Sequence, residues 1–516
     1  MSNKYYVTTP IFYPNGQPHI GHAYNAIAAD CIARFQRLLG KNVFFLTGTD
    51  EHGLKMQQTA EKLGLTPQDL ADKNSLVFNE MMTKLGCSND DFIRTTQERH
   101  KIACQEMWKR MLDNGDIYLS KYSGWYSVRQ ESYYDESETI VLEDGTRVEK
   151  ELSSPVEWNE EESYFFKLSA YQEPLLKFYS ENPNFIKPIE RYNEIVSFVK
   201  SGLRDLSISR NSFSWGIPIP NNDSHIMYVW VDALTNYLTA TGFPNEDNKN
   251  DFWPANLHLI GKDIIRFHAV YWPAFLMSAK IQLPKRIFAH GFLLNQGEKM
   301  SKSVGNVISP FDLISEYGLD QVRYFFMREV PFGQDGSYSH NTIITRINAD
   351  LSNDLGNLLN RSLAITIKNL GQKTPEKYEL LSQDNEILDE ANEKFLSLTS
   401  LMEEQKIDKV LKNIFEVISA ANRYFTKEEP WTLKTQDRKR FSTILYVTLE
   451  LLRKVGIALQ PFMPTSANKL LNMLSVDENS RNFYHITSSE LTSGKELPTP
   501  YVLFPRYMKK SKDEQK

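Results

Sequence analysis

Residues 10–22 constrain the fold most strongly, because they join an apolar run to a helical pattern. The preceding run, residues 5–8, is rich in β-forming side chains, and apolar side chains recur every four residues over 27–39. The pattern predicts a strand, a turn and a helix. The first turn of a helix has unpaired N–H groups and a positive dipole end, so an anion is favoured there. The residues predicted to contact a phosphate are His19, Gly21 and His22. Two histidines at this position can also simply cap the helix, so both interpretations stay open.

A second apolar run, residues 42–47, is typical of a buried strand that follows the first helix. A strand, a helix and a strand within about fifty residues open a parallel α/β sheet, whose ligands bind beyond the carboxyl ends of the strands. The polar loop 48–53 is therefore expected to open on the same side as the two histidines. Helical patterns are expected over 55–114.

The character of the sequence changes along the chain and divides it into domains. Short aromatic runs lie among acidic and turn-rich pieces between about 115 and 223, which indicates an inserted domain. Strand signals resume at 226–230, 257–261 and 287–291, and long amphipathic patterns follow. The predicted fold is α/β, with a split doubly wound parallel (Rossmann-type) sheet that is interrupted by a connective insertion and followed by an α-helical bundle. The bundle helices are predicted over 346–370, 385–404, 408–426, 438–459 and 466–474. The predicted domains are 1–114 and 223–295, the two halves of the catalytic domain; 115–222, the insertion; 296–345, a lysine-loop and stem-contact region; 346–480, the helical bundle; and 481–516, a C-terminal extension that folds back and ends in a basic tail.

The composition excludes several classes of protein. With 41% hydrophobic and 24% charged residues, the chain of 516 residues is typical of a globular protein with several cores. No apolar run is long enough to cross a bilayer and no leader peptide is visible, so we expect a cytoplasmic protein without membrane contact. The three cysteines are widely spaced and form no C-x-x-C pair, which disfavours disulfides and thiolate zinc sites. The net charge of -6 leaves nucleic acid open as a partner, because a local basic groove is compatible with it.

A cationic segment late in the chain, residues 299–306, complements the histidines. Its two lysines, with small hydroxyl side chains nearby, are suited to close over a polyphosphate and to stabilise a leaving group. Taken alone, such a loop is usually a solvated turn. Together, His-Ile-Gly-His at 19–22 and Lys-Met-Ser-Lys-Ser at 299–303 resemble the paired signatures of class I aminoacyl-tRNA synthetases, and the surrounding sequence is similar to the methionyl-tRNA synthetase family from residue 5 to about 506.

The resemblance implies a reaction. The carboxylate of methionine would attack the α-phosphate of ATP in line, giving methionyl-adenylate and pyrophosphate, and the methionyl group would pass to the 3′ end of tRNA. Mg²⁺ would arrive with ATP, and no covalent enzyme intermediate is required. By the match to the family, the catalytic residues are His19, His22, Lys299 and Lys302. ATP would contact these four residues together with Gly21, Gly261, Asp263 and Ser301.

The methionine pocket can be argued partly from chemistry. An ammonium group needs an anion, and Asp50 in the loop after the second strand is the candidate, although an aspartate there can also be a helix N-cap. A thioether needs a polarizable aromatic wall, although each aromatic residue taken singly is more often ordinary core. The resemblance of residues 228–233 and 261–268 to family segments supplies further members. The predicted methionine contacts are Ile11, Tyr13, Asp50, Trp230, Ala233, Tyr237, Ile264, Phe267 and His268. Leu234 stands where some family members have proline, which leaves that part of the wall less defined.

The insertion departs from the metal-bearing members of the family. Where those members have Cys-x-x-Cys pairs, this chain has Ser127 and Gln130, and neither is a usual zinc ligand. We therefore expect ATP with Mg²⁺ and no structural zinc. The insertion, at roughly 110 residues, is also too small for the hydrolytic domain of the larger relatives, so any proofreading is expected in the synthetic site.

The helical third is expected to recognise tRNA. Asn357 and Arg361 lie four residues apart on one predicted helical face, and Trp431 follows Pro430. Bases of a single-stranded loop are recognised by aromatic stacking and by hydrogen bonds to their edges, which suits an Asn, Arg and Trp set. Without the family match, Trp431 would be interpreted as filling a gap between helices. The expected partners are elongator and initiator methionine tRNA, and the chain is expected to be a monomer.

Three alternatives remain at the level of sequence. Another class I synthetase would keep the fold and change the amino acid. A nucleotidylyltransferase also uses His-x-Gly-His at an α-phosphate, but it leaves the lysine segment and the helical third without a role. A non-catalytic tRNA-binding scaffold would not need both histidines and both lysines.

Overall fold

The structure is a computed structural model that describes residues 3–128, 132–150, 153–245, 250–295, 297 and 307–508. The strands are β1 (Lys4–Thr8), β2 (Asn42–Thr49), β3 (Asp91–Arg94), β4 (Ile117–Ser127), β5 (Ser132–Tyr134), β6 (Thr139–Val141), β7 (Arg147–Glu149), β8 (Glu157–Phe166), β9 (Ile186–Lys187), β10 (Leu206–Ser207), β11 (Ser209–Arg210), β12 (Pro218–Ile219), β13 (Asn222–Met227), β14 (Leu257–Gly261), β15 (Ile287–His290), β16 (Leu293–Asn295) and β17 (Gly336–Tyr338).

The α-helices are α1 (Ile20–Leu38), α2 (Leu54–Leu63), α3 (Pro67–Lys84), α4 (Glu98–Asp113), α5 (Gln172–Glu181), α6 (Ile189–Lys200), α7 (Val229–Thr239), α8 (Trp272–Ser278), α9 (Pro310–Tyr317), α10 (Leu319–Glu329), α11 (His340–Arg346), α12 (Asn357–Leu370), α13 (Ser382–Glu403), α14 (Ile407–Glu428), α15 (Pro430–Leu433), α16 (Arg438–Leu459), α17 (Pro464–Met473) and α18 (His485–Ser488). Two π-helical segments, Phe267–Tyr271 and Ile347–Gly356, precede α8 and α12. Short 3₁₀ turns lie at Glu136–Glu138, Leu168–Tyr171, Asn250–Phe252, Lys262–Ile264 and Glu478–Ser480.

The centre of the catalytic half is a parallel sheet, which in the described residues has six strands in the order β3-β2-β1-β14-β15-β9. The first strand lies in the middle and pairs with β2 on one side and with β14 on the other. Val7 packs on one face in a core that includes α1, whereas Tyr6 packs on the opposite face in a core that includes α4 and α8. The predicted doubly wound sheet is confirmed. Its strand order reverses at β1, which is where folds of this kind bind ligands.

Three elements differ from the predictions. The range 55–114, predicted to be helical, contains strand β3, whose four residues are too few to show a recognisable alternation. Residues 226–230, predicted as a strand of the parallel sheet, span the end of β13 and the start of α7, and β13 pairs antiparallel with β11 and β12 in a separate sheet. The run looked continuous because the end of β13 and the start of α7 pack in the same core. Strand β9 lies inside the predicted insertion, yet it pairs parallel with β15 at the sheet edge.

The insertion has its own sheet. Strands β10, β8, β4 and β5 form an antiparallel sheet in that order, and helices α5 and α6 follow β8 in the chain. The predicted helical bundle is also confirmed, with helix bounds close to those expected for α13, α14, α16 and α17. The predicted helix 346–370 consists of the end of α11, a π-helical segment and α12.

The C-terminal extension folds back on the bundle. Lys373 and Glu496 form an antiparallel bridge, and the amide of Tyr507 donates to Asn348 Oδ1 over 2.8 Å.

Among the helices of the described ranges, none is both long enough and apolar enough to cross a membrane.

A buried arginine connects the catalytic half to the bundle. Arg323 of α10 is fully buried, and its Nη2 donates to Asp30 Oδ2 of α1 over 2.7 Å. The same guanidinium donates to the carbonyl oxygens of Leu85, Pro461 and Phe462 over 2.9 to 3.0 Å. Asp30 lies on the helix that begins at the two histidines, and Pro461 and Phe462 follow α16. One side chain therefore holds the first helix against the bundle by charge-assisted hydrogen bonds.

Candidate active site

A cavity of about 480 Å³ lies beyond the carboxyl ends of β1, β2, β14 and β15. This is the position that the strand order favours for a ligand. Its lining includes every residue predicted to contact ATP or methionine that the structure describes, namely Ile11, Tyr13, His19, Gly21, His22, Asp50, Trp230, Ala233, Tyr237, Gly261, Asp263, Ile264, Phe267 and His268. Lys299, Ser301 and Lys302 lie outside the described residues.

The two histidines form the start of α1 by capping each other. His19 is the N-cap, and its Nδ1 accepts from the amide of Gly21 over 3.0 Å, while His22 Nδ1 accepts from the amide of His19 over 3.1 Å. Because each Nδ1 acts as an acceptor, the proton of each neutral ring sits on Nε2. The capping interpretation and the phosphate interpretation are therefore compatible: capping fixes both rings so that each Nε2 is a donor at the helix start.

Asp50 and an aromatic pair form the other end of the cavity. Asp50 follows β2, and its amide donates to the carbonyl of Phe12 over 2.9 Å. The N-cap of α2 is Gly53, so Asp50 does not have the capping role that its sequence position allowed. Trp230 and Phe267 stack at 3.7 Å between ring centroids with an interplanar angle of 6°. A half-buried carboxylate and a flat aromatic surface thus line the same cavity.

Tyr237 and His268 are joined by a hydrogen bond with a defined direction. His268 Nδ1 lies 3.0 Å from the carbonyl oxygen of Ile264, which can only accept, so this nitrogen carries a proton. Burial lowers the pKa of His268 to about 4, so the ring is neutral at pH 7. His268 Nε2 must then accept from the Tyr237 hydroxyl, 2.8 Å away, and burial raises the pKa of that hydroxyl so that it stays protonated. The wall they form is uncharged.

Several lining residues were not predicted from the sequence, and Tyr24, Asn25 and His290 are among them. Asn25 donates Nδ2 to the carbonyl of Leu259 over 3.2 Å and lies 2.8 Å from His290 Nε2. Burial lowers the pKa of His290, which keeps this ring neutral. Among the described residues, the Tyr24 hydroxyl and Asn25 Oδ1 are enclosed without a hydrogen-bond partner. Asn25 was predictable, because it follows His22 by three residues and so shares its helical face.

The three residues predicted to contact an anticodon lie on one part of the bundle. Asn357 is exposed on α12, and Arg361 Nη2 donates to Asn422 Oδ1 over 3.3 Å. The Arg361 guanidinium also lies over the Phe425 ring at 5.5 Å, and Trp431 contacts that ring at 6.1 Å between centroids. Trp431 is 41% exposed, so it does not simply fill a gap between helices. The exposed tryptophan and the arginine flank one phenylalanine.

The insertion does not fit a zinc ion at the predicted knuckle. Ser127 is buried at the end of β4, and Gln130 lies outside the described residues. Nearby, the buried guanidinium of Arg210 stacks over the rings of Tyr126 and Tyr133, 5.6 and 5.1 Å from their centroids. A divalent cation placed there would adjoin a fixed positive charge without any thiolate to neutralise it. Arg210 and the two tyrosines thus pack together beside the end of β4.

Comparison with known proteins finds matches that cover both the catalytic part and the helical part of the chain. Residues 5–363 match the family model described as tRNA synthetases class I (M), and residues 374–516 match the anticodon binding domain of methionyl tRNA ligase. The methionine–tRNA ligases of Mesorhizobium japonicum and Brucella suis are 62% and 60% identical over 509 and 506 residues, which is 98% of each chain. A solved structure of Mycobacterium tuberculosis methionyl-tRNA synthetase in complex with methionyl-adenylate aligns with a TM-score of 0.96 at 53% identity, covering 98% of this chain and 100% of that chain.

Proposed function

The chain belongs to the methionyl-tRNA synthetase family of class I aminoacyl-tRNA synthetases, and from this membership we propose how its residues divide the reaction. It is a methionine–tRNA ligase: it activates L-methionine with ATP to methionyl-adenylate and transfers the methionyl group to the 3′ end of methionine tRNA. The observation that carries the assignment of roles is that the described residues expected for both substrates line a single cavity.

ATP is held at the start of α1. His19 and His22 present Nε2–H donors to its phosphates, and the helix dipole favours the same negative charge. Gly261 and Asp263, at the end of β14, contact the ribose. By the sequence resemblance alone, we propose that Lys299, Ser301 and Lys302 bind the phosphates and stabilise the departing pyrophosphate. Mg²⁺ enters with ATP as part of the substrate and neutralises phosphate charge.

Methionine lies between Asp50 and the aromatic wall. The carboxylate of Asp50 pairs with the ammonium group, because an ion pair in a half-buried site fixes the orientation of the amino acid. The uncharged Tyr237–His268 pair contacts the thioether. A protonated histidine would be unfavourable here, because the apolar thioether would leave its charge buried and unpaired. Ile11, Tyr13, Ala233, Ile264 and the Trp230–Phe267 stack complete the apolar walls.

The chemistry needs positioning more than covalent catalysis. With the ammonium group on Asp50 and the phosphates at the helix start, the methionine carboxylate is directed at the α-phosphate for in-line attack. The bond from the α-phosphorus to the carboxylate oxygen forms as the bond to pyrophosphate breaks. Charge accumulates on the phosphate oxygens, where the His19 and His22 donors act.

The bundle recognises the anticodon of elongator and initiator methionine tRNA. Trp431 stacks on an anticodon base, and Asn357 and Arg361 bind base edges or backbone. Support comes from the exposure of Trp431 and from its common contact with Arg361 on Phe425. We propose further that the protein works as a cytoplasmic monomer without structural zinc, the last because Ser127 and Gln130 are not usual zinc ligands.

Two linked assays test the function. Purified full-length protein should exchange pyrophosphate into ATP only when methionine is added, and should then charge methionine tRNA. Exchange that depends on leucine or valine would keep the class and overturn the amino acid. Exchange without any amino acid, when another acceptor is supplied, would indicate a nucleotidylyltransferase, and tRNA binding without exchange would indicate a scaffold.

A further inference from the structure

A fully buried carboxylate lies behind the methionine pocket. Asp232 of α7 stands between two lining residues, Trp230 and Ala233, but does not itself line the cavity. Its Oδ2 lies 2.6 Å from His52 Nδ1, and its Oδ1 lies 2.7 Å from His100 Nε2. Both histidines are also buried. The mechanism above leaves this group of three side chains without a role.

The short contacts define the chemistry of the group. An ionised carboxylate can only accept, so each imidazole presents an N–H to it. Burial acts to raise the pKa of Asp232, but the two imidazoles lower it to about 2, so the carboxylate is charged at pH 7. A buried charge of this kind is retained only when it is paired and hydrogen-bonded.

Hydrogen bonds explain the short distances in this group better than a bound metal ion does. The ligand atoms of His100, Cys104 and Asp232 all lie within 4.8 Å of one another, close enough to suggest a site. However, two ligands bound to one tetrahedral zinc at roughly 2.0–2.2 Å are separated by about 3.4 Å. The His100–Asp232 contact of 2.7 Å is a charge-assisted hydrogen bond instead.

The group connects elements that carry the two ends of the methionine pocket. His52 is two residues after Asp50 in the loop that follows β2, and Asp232 is two residues after Trp230. The same loop is held toward the sheet and the insertion by other bonds: Arg94 Nε donates to Glu51 over 2.7 Å, and Trp215 donates to the Glu51 carbonyl over 2.6 Å. His52–Asp232 is thus a side-chain bond from this loop to the helix that bears the aromatic wall.

His100 supports the same helix from behind. Its Nε2 donates to Asp232, and its Nδ1 lies 3.0 Å from Thr239 Oγ1, which is about two helical turns further along α7. Helix α4, which carries His100, therefore contacts α7 at two polar points. The position of Asp232 relative to the loop is fixed by three elements that lie far apart in the sequence.

We propose that Asp232 is a positioning residue that, through His52 and His100, sets the separation between the ammonium site at Asp50 and the aromatic wall at Trp230. It touches neither substrate. The inference rests on the proposed assignment of Asp50 and Trp230 to methionine. If the bond is lost, the loop and α7 can move apart, and methionine no longer reaches both ends of its pocket at once. ATP binding at the start of α1 does not depend on this bond.

The test compares His52→Leu with His52→Asn in the full-length chain. An asparagine amide nitrogen reaches the place of Nδ1 and still donates to Asp232, whereas leucine has similar bulk and cannot donate. In methionine-dependent pyrophosphate exchange, His52→Leu should raise the KM for methionine at least tenfold while the KM for ATP changes less than threefold. His52→Asn should recover most of the methionine affinity. Asp232→Asn, which replaces an acceptor with a donor facing an N–H, should behave like His52→Leu.

A destabilised variant elsewhere provides the control. Tyr446→Phe removes buried hydrogen bonds to Glu490 and the Leu491 carbonyl in the bundle, and it should lower the melting temperature without changing the KM for methionine. The inference is overturned if His52→Leu leaves the KM for methionine within twofold of wild type, if both KM values rise together, or if His52→Asn is as impaired as His52→Leu. Failure of Asp50→Asn to raise the KM for methionine would instead refute the proposed pocket itself.

Discussion

Replacing Asp50 by asparagine should raise the KM for methionine about 100-fold. The substitution keeps the shape of the side chain and removes the charge that pairs with the ammonium group. Two opposite charges about 4 Å apart gain roughly 1 kcal/mol in water and about 4 kcal/mol at an effective dielectric constant of 20. Asp50 is half-buried and its Oδ1 is enclosed, so we expect the ion pair to contribute about 3 kcal/mol. Each 1.4 kcal/mol is roughly a factor of ten in affinity, which gives the expected change.

The assay is pyrophosphate exchange with methionine and ATP varied separately. Asp263→Asn is the matched control: it removes a carboxylate from the same cavity, at the position proposed for ribose, and should raise the KM for ATP while leaving that for methionine within threefold. A methionine KM within threefold of wild type for Asp50→Asn, or an equal rise in the KM for ATP, would show that Asp50 does not pair with the ammonium group.

Four further outcomes are expected. Trp431→Ala should cost about 1–3 kcal/mol in charging efficiency with methionine tRNA and leave exchange intact; equal loss in both assays would refute the anticodon role. Burial lowers the pKa of His268 from the ordinary 6.5 to about 4, so the unfolded state binds more protons than the folded state between these pH values. The free energy of unfolding should therefore fall by about 3 kcal/mol as the pH is lowered from 6.5 to 4. His268→Gln should flatten that part of the profile of melting temperature against pH. Arg323→Met should cost about 3–5 kcal/mol, because three carbonyls lose their donor and Asp30 loses its buried ionic partner and keeps only Arg34 and Ser88. The loss should appear as a lower melting temperature that Asp30→Asn in the same chain partly restores. Metal analysis of purified protein should find no stoichiometric zinc, and one zinc per chain would contradict the interpretation of the Arg210 cluster.

Local patterns predicted the fold well where one element is long and periodic. The helix start at His19 and the strand–helix–strand opening depend on near neighbours, and both are confirmed. Short strands were missed, since the four residues of β3 and the two residues of β9 become strands only through their partners in the sheet. The prediction of a strand at 226–230 was wrong, because the buried end of β13 and the buried start of α7 form one continuous apolar run in the sequence.

The pocket was predicted in outline but not in its support. Residues next to the motifs could be found from the family resemblance or from helical spacing, as Asn25 illustrates. The His52–Asp232–His100 group could not, because its bonds join residues 180 and 132 positions apart and neither histidine lies in a recognisable motif. Only the packing of α4 and the β2 loop against α7 brings them together. Lys299 and Lys302 remain a prediction from the sequence.

The most direct measurement is a crystal structure of this chain with methionyl-adenylate, or with a sulfamoyl analogue that resists hydrolysis. The ammonium group should lie about 3 Å from the Asp50 carboxylate, the thioether should contact Tyr237 and His268, and the phosphate should accept from the amides and histidines at the start of α1. An ammonium group that is paired elsewhere, or a phosphate that lies away from His19 and His22, would contradict the division of the cavity between methionine and nucleotide.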